Sequence, residues 1–243
     1  MRKYLSVILC FSMVVSIVSY AGVYPAGAEK SKAGAEKSKA GAEKSKAKVE
    51  RPENALPREA IKEGKIEEVK KALKEGADIN VKNSKGMTAL TGAIMAKQTA
   101  MAKFLIDEGA DINLGINTPK YPLTVAAATN NVDITEYLLK KGAKVNATKK
   151  NGWAPMMSAV RHNALDAAKL LLKAKADINA AGPGNKTPLM FAVFYESADM
   201  VEFLIDNGAK LNVTNDEGLT PLQIAEKHKR EKIAVLLKKK GAK

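Results

Sequence analysis

Few side chains in this sequence are suited to metal binding or to acid–base catalysis. The chain of 243 residues has two histidines, His162 and His228, and one cysteine, Cys10. Histidine is the usual group for proton transfer near neutral pH and the commonest metal ligand. One cysteine can form neither a disulfide framework nor a cysteine-based zinc site within one chain. The composition therefore argues against a metalloenzyme and against a disulfide-rich secreted scaffold.

One segment has some features of a phosphate-binding loop. Its sequence is Gly-Pro-Gly-Asn-Lys-Thr, ending at Lys186 and Thr187. Loops that cradle phosphate groups have a glycine directly before Lys-Thr and follow a strand, and this segment has neither feature. The sequence also lacks a Gly-x-Ser-x-Gly nucleophile motif. We interpret the segment as a turn and expect no catalytic residues, no cofactor and no metal.

The chain is strongly basic. Forty lysines and arginines face 26 aspartates and glutamates, which gives a formal net charge of +14. A charge of this sign makes nucleic acid, anionic lipid and acidic protein the first partners to consider. Aromatic residues make up only 5% of the chain, so an exposed cluster of them would need a reason.

Residues 1–21 are predicted to be a secretory signal peptide. A short basic start precedes an apolar run over residues 4–18, and small residues up to Ala21 offer a cleavage point. A second point of this kind puts the latest cleavage at residue 28. The alternative is an uncleaved membrane anchor, although a bilayer span takes about 20 residues. We expect an exported bacterial protein, periplasmic or secreted, with no stable membrane span after cleavage.

Residues 22–49 are predicted to be a flexible lysine-rich spacer. Three heptads of sequence AGAEKSK occupy residues 26–46, and each heptad contributes one net positive charge. A coiled coil is disfavoured because the only apolar side chain is alanine and each heptad carries a helix-weakening glycine. The alternative function of this spacer is an electrostatic tether to an anionic surface such as a membrane or cell wall.

From about residue 50 the sequence repeats every 33 residues, without an insertion. The pentapeptide Gly-Ala-Asp-Ile-Asn, or a variant of it, occupies residues 76–80, 109–113, 142–146, 175–179 and 208–212. A segment of the type Thr-Pro-Leu occupies residues 88–91, 121–124, 154–157, 187–190 and 220–223. A further slot always holds alanine, at Ala60, Ala93, Ala126, Ala159, Ala192 and Ala225. This alanine predicts that two helices approach closely there.

Each repeat predicts two helices and a turn. Thr-Pro opens the first helix, since the fixed φ of proline and its missing N–H suit a first turn. We expect a left-handed residue at the break between the helices, where the repeats have Gly64, Lys97, Asn130, Asn163, Glu196 and Lys229. The second helix carries paired aliphatic residues and ends at the glycine of the pentapeptide, a common left-handed stop. The polar residues beyond it predict a β-turn finger.

These motifs resemble those of the ankyrin repeat family over residues 50–243. The resemblance implies an all-α solenoid of six helix–turn–helix units with β-turn fingers. It also implies a histidine after Thr-Pro-Leu that bonds neighbouring turns, but that slot holds Thr91, Thr124, Met157, Met190 and Gln223. Thr and Gln can still form hydrogen bonds, whereas Met cannot. We therefore expect a weaker polar network around units four and five, partly offset by methionine packing.

The terminal units are predicted to be polar caps. Glu68 and Lys71 occupy slots that hold Met101 and Phe104 in the second unit, and Lys238 replaces an aliphatic residue in the last unit. Because terminal repeats must present a polar outer face, we expect a complete array. His162 and His228 occupy one slot two units apart, which is too far for a shared metal.

The resemblance also indicates where a partner would bind. In the family, the concave face is formed by the fingers and first helices, and its variable slots select partners. The finger slot has Met87, Lys120, Trp153 and Lys186, and the end of the first helix has Arg161-His162 in unit four and Phe194-Tyr195 in unit five. We expect Trp153, Arg161 and Tyr195 to contact the partner. The alternative is that Phe194 or Tyr195 only packs against an adjacent helix.

The sequence therefore favours an exported, non-enzymatic, monomeric scaffold that binds another protein. One alternative is a polyanion- or cell-surface-binding module using the spacer and the basic fingers at Lys82, Lys85, Lys149 and Lys150. Another is an accessory protein that protects or regulates a periplasmic enzyme. Nucleic acid is not an expected partner, because the protein is exported and its basic fingers lack interleaved aromatic residues.

Overall fold

The computed structural model describes residues 54–84, 86–115, 121–148 and 152–243. All of these residues belong to one compact unit, Lys48–Lys243. The predicted signal peptide and spacer lie outside the described residues, as do Lys85, Lys120, Lys149 and Lys150.

The described residues form twelve α-helices, arranged as six consecutive pairs, and no strand. The first helices of the pairs are α1 Arg58–Glu63, α3 Ala89–Met95, α5 Pro122–Ala128, α7 Pro155–Arg161, α9 Pro188–Phe194 and α11 Pro221–Lys227. The second helices are α2 Ile66–Lys74, α4 Thr99–Asp107, α6 Val132–Lys140, α8 Leu165–Lys173, α10 Ala198–Asp206 and α12 Glu231–Lys239. None of these helices is long and apolar enough to cross a membrane. Each pair is called a unit below, numbered one to six.

The helices confirm the prediction of an all-α repeat solenoid. The six second helices start at intervals of 33 residues, as do the first helices of units two to six. Helix α1 departs from this register because Pro57 precedes Arg58, which becomes its first residue. The finger that was compared with a phosphate-binding loop contains a short 3-10 turn, Pro183–Asn185, before α9.

The first helices begin where the sequence places a capping residue and a proline. The Thr88 and Thr187 hydroxyl groups accept hydrogen bonds from the backbone N–H three residues on, at Thr91 and Met190. In unit six, Thr220 and Gln223 form a reciprocal capping box. Threonine caps of this kind stabilise a helix by about 1 kcal/mol each.

A left-handed residue separates the two helices of every unit, as the sequence predicts. Its φ is 74° at Gly64, 58° at Lys97 and 58° at Glu196. Lysine and glutamate adopt this conformation at a cost of about 1–2 kcal/mol, which the packing of both flanking helices offsets. The pentapeptide glycines also have positive φ, and in unit four the same slot holds Lys175 with φ 66°.

The core lies between the helices and runs through all the units. The alanine slot between the helices is buried in every unit, with at most 2% exposure at Ala60. Large aliphatic side chains such as Leu138 and Leu171 surround it and are fully buried. At the ends, Glu68 and Lys238 are exposed while Met101 is buried, which is the polar cap pattern.

A ladder of asparagine hydrogen bonds links the pentapeptides of neighbouring units. The carbonyl oxygen of the Asn113 side chain accepts from the backbone N–H of Lys144 at 2.9 Å. The same bond, 2.8–2.9 Å long, joins Asn80 to Asp111, Asn146 to Asp177, Asn179 to Lys210 and Asn212 to Lys243. The last residue of each pentapeptide therefore holds the third residue of the next one.

Hydrogen bonding from the slot in which this chain has no histidine is weaker than the sequence indicates. Met157 and Met190 are buried there, as expected, and Thr91 bonds with the Thr88 hydroxyl at 3.0 Å. The Thr124 side chain can form a hydrogen bond, but its buried hydroxyl has no partner among the described residues. The reason is local: the capping slot before Thr124 holds Tyr121, which forms no side-chain cap.

A second set of links joins consecutive second helices. Asp107 of α4 accepts hydrogen bonds from the Lys141 ammonium at 2.7 Å and from the Tyr137 hydroxyl at 2.6 Å. These bonds hold the pKa of Asp107 below its ordinary value. Asp206 and Lys240 form an ion pair of 2.5 Å in the equivalent slots three units later. The groups are exposed, so each pair contributes little stability.

The asparagine ladder can be tested at a single step. We expect Asn113→Ala to lower the free energy of unfolding by about 1 kcal/mol, the net value of one such hydrogen bond. Lys144→Ala is the matched control, because Lys144 contributes only its backbone N–H to the same bond. Urea unfolding followed by circular dichroism measures both. Equal losses in the two variants would contradict the ladder.

Candidate protein-binding surface

The variable slots of the fingers and first helices lie on one side of each unit, called the first-helix face here. In unit four these slots hold Trp153, Arg161 and His162. Units five and six add Lys186, Phe194 and Tyr195, and then Leu219, Lys227 and His228. The 33-residue register therefore places a row of three residues from three consecutive units at each slot.

Four aromatic side chains on this face form one continuous cluster, called the aromatic strip: Trp153, Phe191, Phe194 and Tyr195. The Trp153 and Phe191 rings meet edge to face with centroids 5.2 Å apart. Phe191 and Tyr195 stack at 6.4 Å, one helical turn apart, and Tyr195 meets Phe194 edge to face at 5.2 Å. Such edge-to-face and offset pairs stabilise an arrangement beyond the area that they bury.

Trp153 is held in place by groups of its own unit. It precedes α7, and its indole N–H donates to the Ser158 hydroxyl at 2.8 Å. The Arg161 guanidinium lies over the ring, 5.7 Å from its centroid. The ring is half-buried and packs against the core. Trp153 thus presents a restrained aromatic surface.

Phe191 is the residue of this strip that the sequence analysis missed. Its side chain is only 8% exposed, and it joins Trp153 to Tyr195. Its slot holds Gly92, Val125, Ser158 and Ile224 in other units. That mixture of sizes was the available signal, since a slot occupied by both glycine and phenylalanine is not a uniform core position.

The outer part of the strip is open to solvent. Phe194 is 44% and Tyr195 is 37% exposed, although both belong to helix or helix-end positions that could have been buried. The Phe194 ring also packs against the His228 ring of unit six, with centroids 5.1 Å apart. Phe194 is therefore both packed against the adjacent unit and exposed to solvent.

The two histidines flank the strip, and each has its own partner. His162 forms a 2.9 Å hydrogen bond through Nδ1 with the Ser158 carbonyl oxygen, and His228 contacts Phe194. Within the described residues, no group of three or more His, Cys, Asp or Glu side chains could hold a metal ion.

Charged side chains of both signs lie beside the strip. Lys186 and Lys227 both pair with the Glu217 carboxylate, at 3.6 and 2.8 Å. The hydrogen bond from Lys227, with the nearby positive charges, holds the pKa of Glu217 below its ordinary value. Arg161, over Trp153, forms no ion pair with any carboxylate of the described residues.

Met87 lies apart from the strip, in unit two. It lines a groove of about 530 Å³ between the first two units, together with Leu56, Ile61 and Met95. Lys120 lies outside the described residues. Of the eight candidate residues, the structure therefore brings Trp153, Arg161, His162, Lys186, Phe194 and Tyr195 to units four and five, and Met87 to the other end.

Comparisons with known proteins agree with this architecture. Family models described as "Ankyrin repeats (3 copies)" match residues 37–116, 58–149 and 114–182. A model described as "Ankyrin repeats (many copies)" matches residues 181–225. No curated protein matches the chain.

The strip predicts different roles for its buried and exposed members. We expect Phe191→Ala to lower the free energy of unfolding by about 3 kcal/mol, because it removes a buried ring. Phe194→Ala should change that free energy by no more than about 1 kcal/mol, because its ring is largely exposed. Urea unfolding measures the difference. If both variants lose equal stability, Phe194 is part of the core and the strip has no open outer edge.

Proposed function

The chain belongs to the ankyrin repeat family, and on that premise we propose that it is a scaffold that binds another protein through units four and five of its first-helix face. Ankyrin repeats generally mediate protein–protein interactions and are typically not enzymes. We extend this to the present chain: its role is non-enzymatic, and the array comprises six repeats. In the family, the first-helix face is the concave one.

The aromatic strip is the observation that carries the proposal. Binding energy in protein interfaces concentrates in a few residues, with Trp, Tyr and Arg enriched among them. Here the single Trp of the chain, an exposed Tyr and an Arg without a carboxylate partner among the described residues lie on one surface. The hydrogen bond of Trp153 and the stacking of Tyr195 on Phe191 fix these groups before binding, which lowers the entropic cost of association.

A purely electrostatic role is less well supported. Lys186 and Lys227 on the first-helix face are partly neutralised by Glu217. Binding to a polyanion would weaken steeply with salt. An interface anchored by aromatic rings would be less sensitive.

Partner capture from the exported fraction tests the scaffold. We expect the double variant Trp153→Ala/Tyr195→Ala to lose at least about tenfold in captured partner, since two such anchors commonly contribute more than 1 kcal/mol each. The full-length chain is used as bait, at low and high salt, and the captured protein is quantified by mass spectrometry.

Val132→Ala/Val235→Ala is the matched control for that experiment. These two residues are also exposed apolar side chains, at 39% and 68%, but they lie on second helices. Circular dichroism verifies that both double variants are folded. Equal capture by the strip variant and the parent chain would contradict binding through this face.

We also propose that the chain is exported and cleaved. The basic start, the apolar run and the small residues up to Ala21 support this proposal. When the full-length chain is expressed in a bacterium with a periplasm, we expect the protein in the periplasmic or secreted fraction. Mass spectrometry should find an N-terminus at residue 22, or as late as residue 29. An intact N-terminus in the cytoplasmic fraction would contradict export.

A further inference from the structure

We propose that the strip binds an extended acidic peptide segment with an aromatic residue at its centre and a carboxylate three residues away on each side. The inference rests on the proposed function and deepens it by naming the chemistry of the partner. Its basis is one row of the first-helix face: Arg161, Phe194 and Lys227, the last first-helix residues of units four, five and six.

The row alternates between a cation, an aromatic ring and a cation. Phe194 lies at its centre and is 44% exposed. In the next row, Tyr195 lies between His162 and His228. A partner that fills the centre with an apolar group therefore meets a basic residue on either side.

The positive charge of this row is available to a partner. Arg161 has no ion pair with a carboxylate of the described residues. Lys227 shares Glu217 with Lys186, so two cations face one anion and one positive charge is in excess. The Arg230 guanidinium is neutralised by Glu196 at 2.5 Å. Charge complementarity therefore selects a segment with two carboxylates.

Acidic side chains limit the extent of this basic surface. Asp199 lines a groove of about 580 Å³ together with Arg161, His162, Tyr195 and Glu196. It belongs to the first turn of α10, a second helix. The proposed segment therefore runs along the ends of the first helices and does not extend into this groove.

The register fixes the spacing of the segment. Packed neighbouring helices lie about 8–10 Å apart. An extended segment of polyproline II type rises about 3.1 Å per residue with three residues per turn, so every third side chain lies on the same face. Equivalent slots of adjacent units are thus about three residues of extended peptide apart. A carboxylate at each end of an Asp-x-x-Phe-x-x-Asp segment would reach Arg161 and Lys227 while its ring contacts Phe194 and Tyr195.

Synthetic peptides provide a direct test, because Trp153 is the only Trp in the chain and reports on the strip by fluorescence. The probe is the peptide Asp-Gly-Ser-Phe-Gly-Ser-Asp with blocked ends, titrated into the full-length chain. Calorimetry is run in parallel, so that binding without a fluorescence change is still detected. The comparison peptides replace both Asp by Lys, replace Phe by Ala, or place both Asp beside the Phe.

We expect the probe to bind about tenfold more tightly than the Lys peptide, the combined effect of two exposed charge contacts. The Ala peptide and the peptide of altered spacing should bind several-fold more weakly than the probe. Arg161→Gln/Lys227→Gln should abolish the preference for Asp over Lys. Lys173→Gln/Lys82→Gln removes the same charge elsewhere and should leave the preference for Asp over Lys unchanged.

The outcomes separate this inference from the proposed function. Equal or tighter binding of the Lys peptide, or no binding of the probe by calorimetry, overturns the acidic segment. If the Ala peptide binds as tightly as the probe, charge alone determines binding, and the proposed central aromatic residue is overturned. In each case, partner capture that still depends on Trp153 and Tyr195 would support the proposed scaffold function.

Discussion

The asparagine ladder is the interaction on which the rest of the described structure depends. Each helix pair buries its apolar side against the next pair, and such packing alone allows neighbouring units to slide. A hydrogen bond from the Lys144 backbone N–H to the Asn113 side chain requires a limited range of distance and angle, and the same bond recurs from Asn80 to Asn212. Because the donor is a backbone group, the ladder tolerates either Asp or Lys at the third pentapeptide position.

A fixed register turns a one-dimensional sequence into a surface. Equivalent slots lie side by side, so substitutions at one slot of three consecutive units change three adjacent side chains. Trp153 and Phe191 come from different slots, yet their rings meet because units four and five are aligned. The core slots cannot vary in this way, as the buried alanine of every unit shows.

The sequence predicts whatever depends on the period and little of what depends on individual contacts. Lys97 and Glu196 are poor candidates for left-handed residues by type, yet the register alone places them there, and their φ is positive. Thr124 shows the limit: its side chain suits a hydrogen bond, but the neighbouring Tyr121 gives it no partner. Phe191 shows the same limit, because its contact with Trp153 crosses from one unit to the next.

In units four and five, packing between neighbouring fingers takes the place of the hydrogen bonds that a histidine would form between them. A side chain at Gly152 would place its Cβ 2.6 Å from the Ala181 carbonyl oxygen, and one at Gly182 would lie 2.5 Å from the Met157 sulfur. Met157 therefore fills the space under the next finger, and only glycine allows both approaches. Trp153 directly follows Gly152, so this close contact restrains the backbone that carries the indole ring. Methionine in the histidine slot and the aromatic residues near it are thus two parts of one arrangement, in which apolar packing positions the aromatic strip.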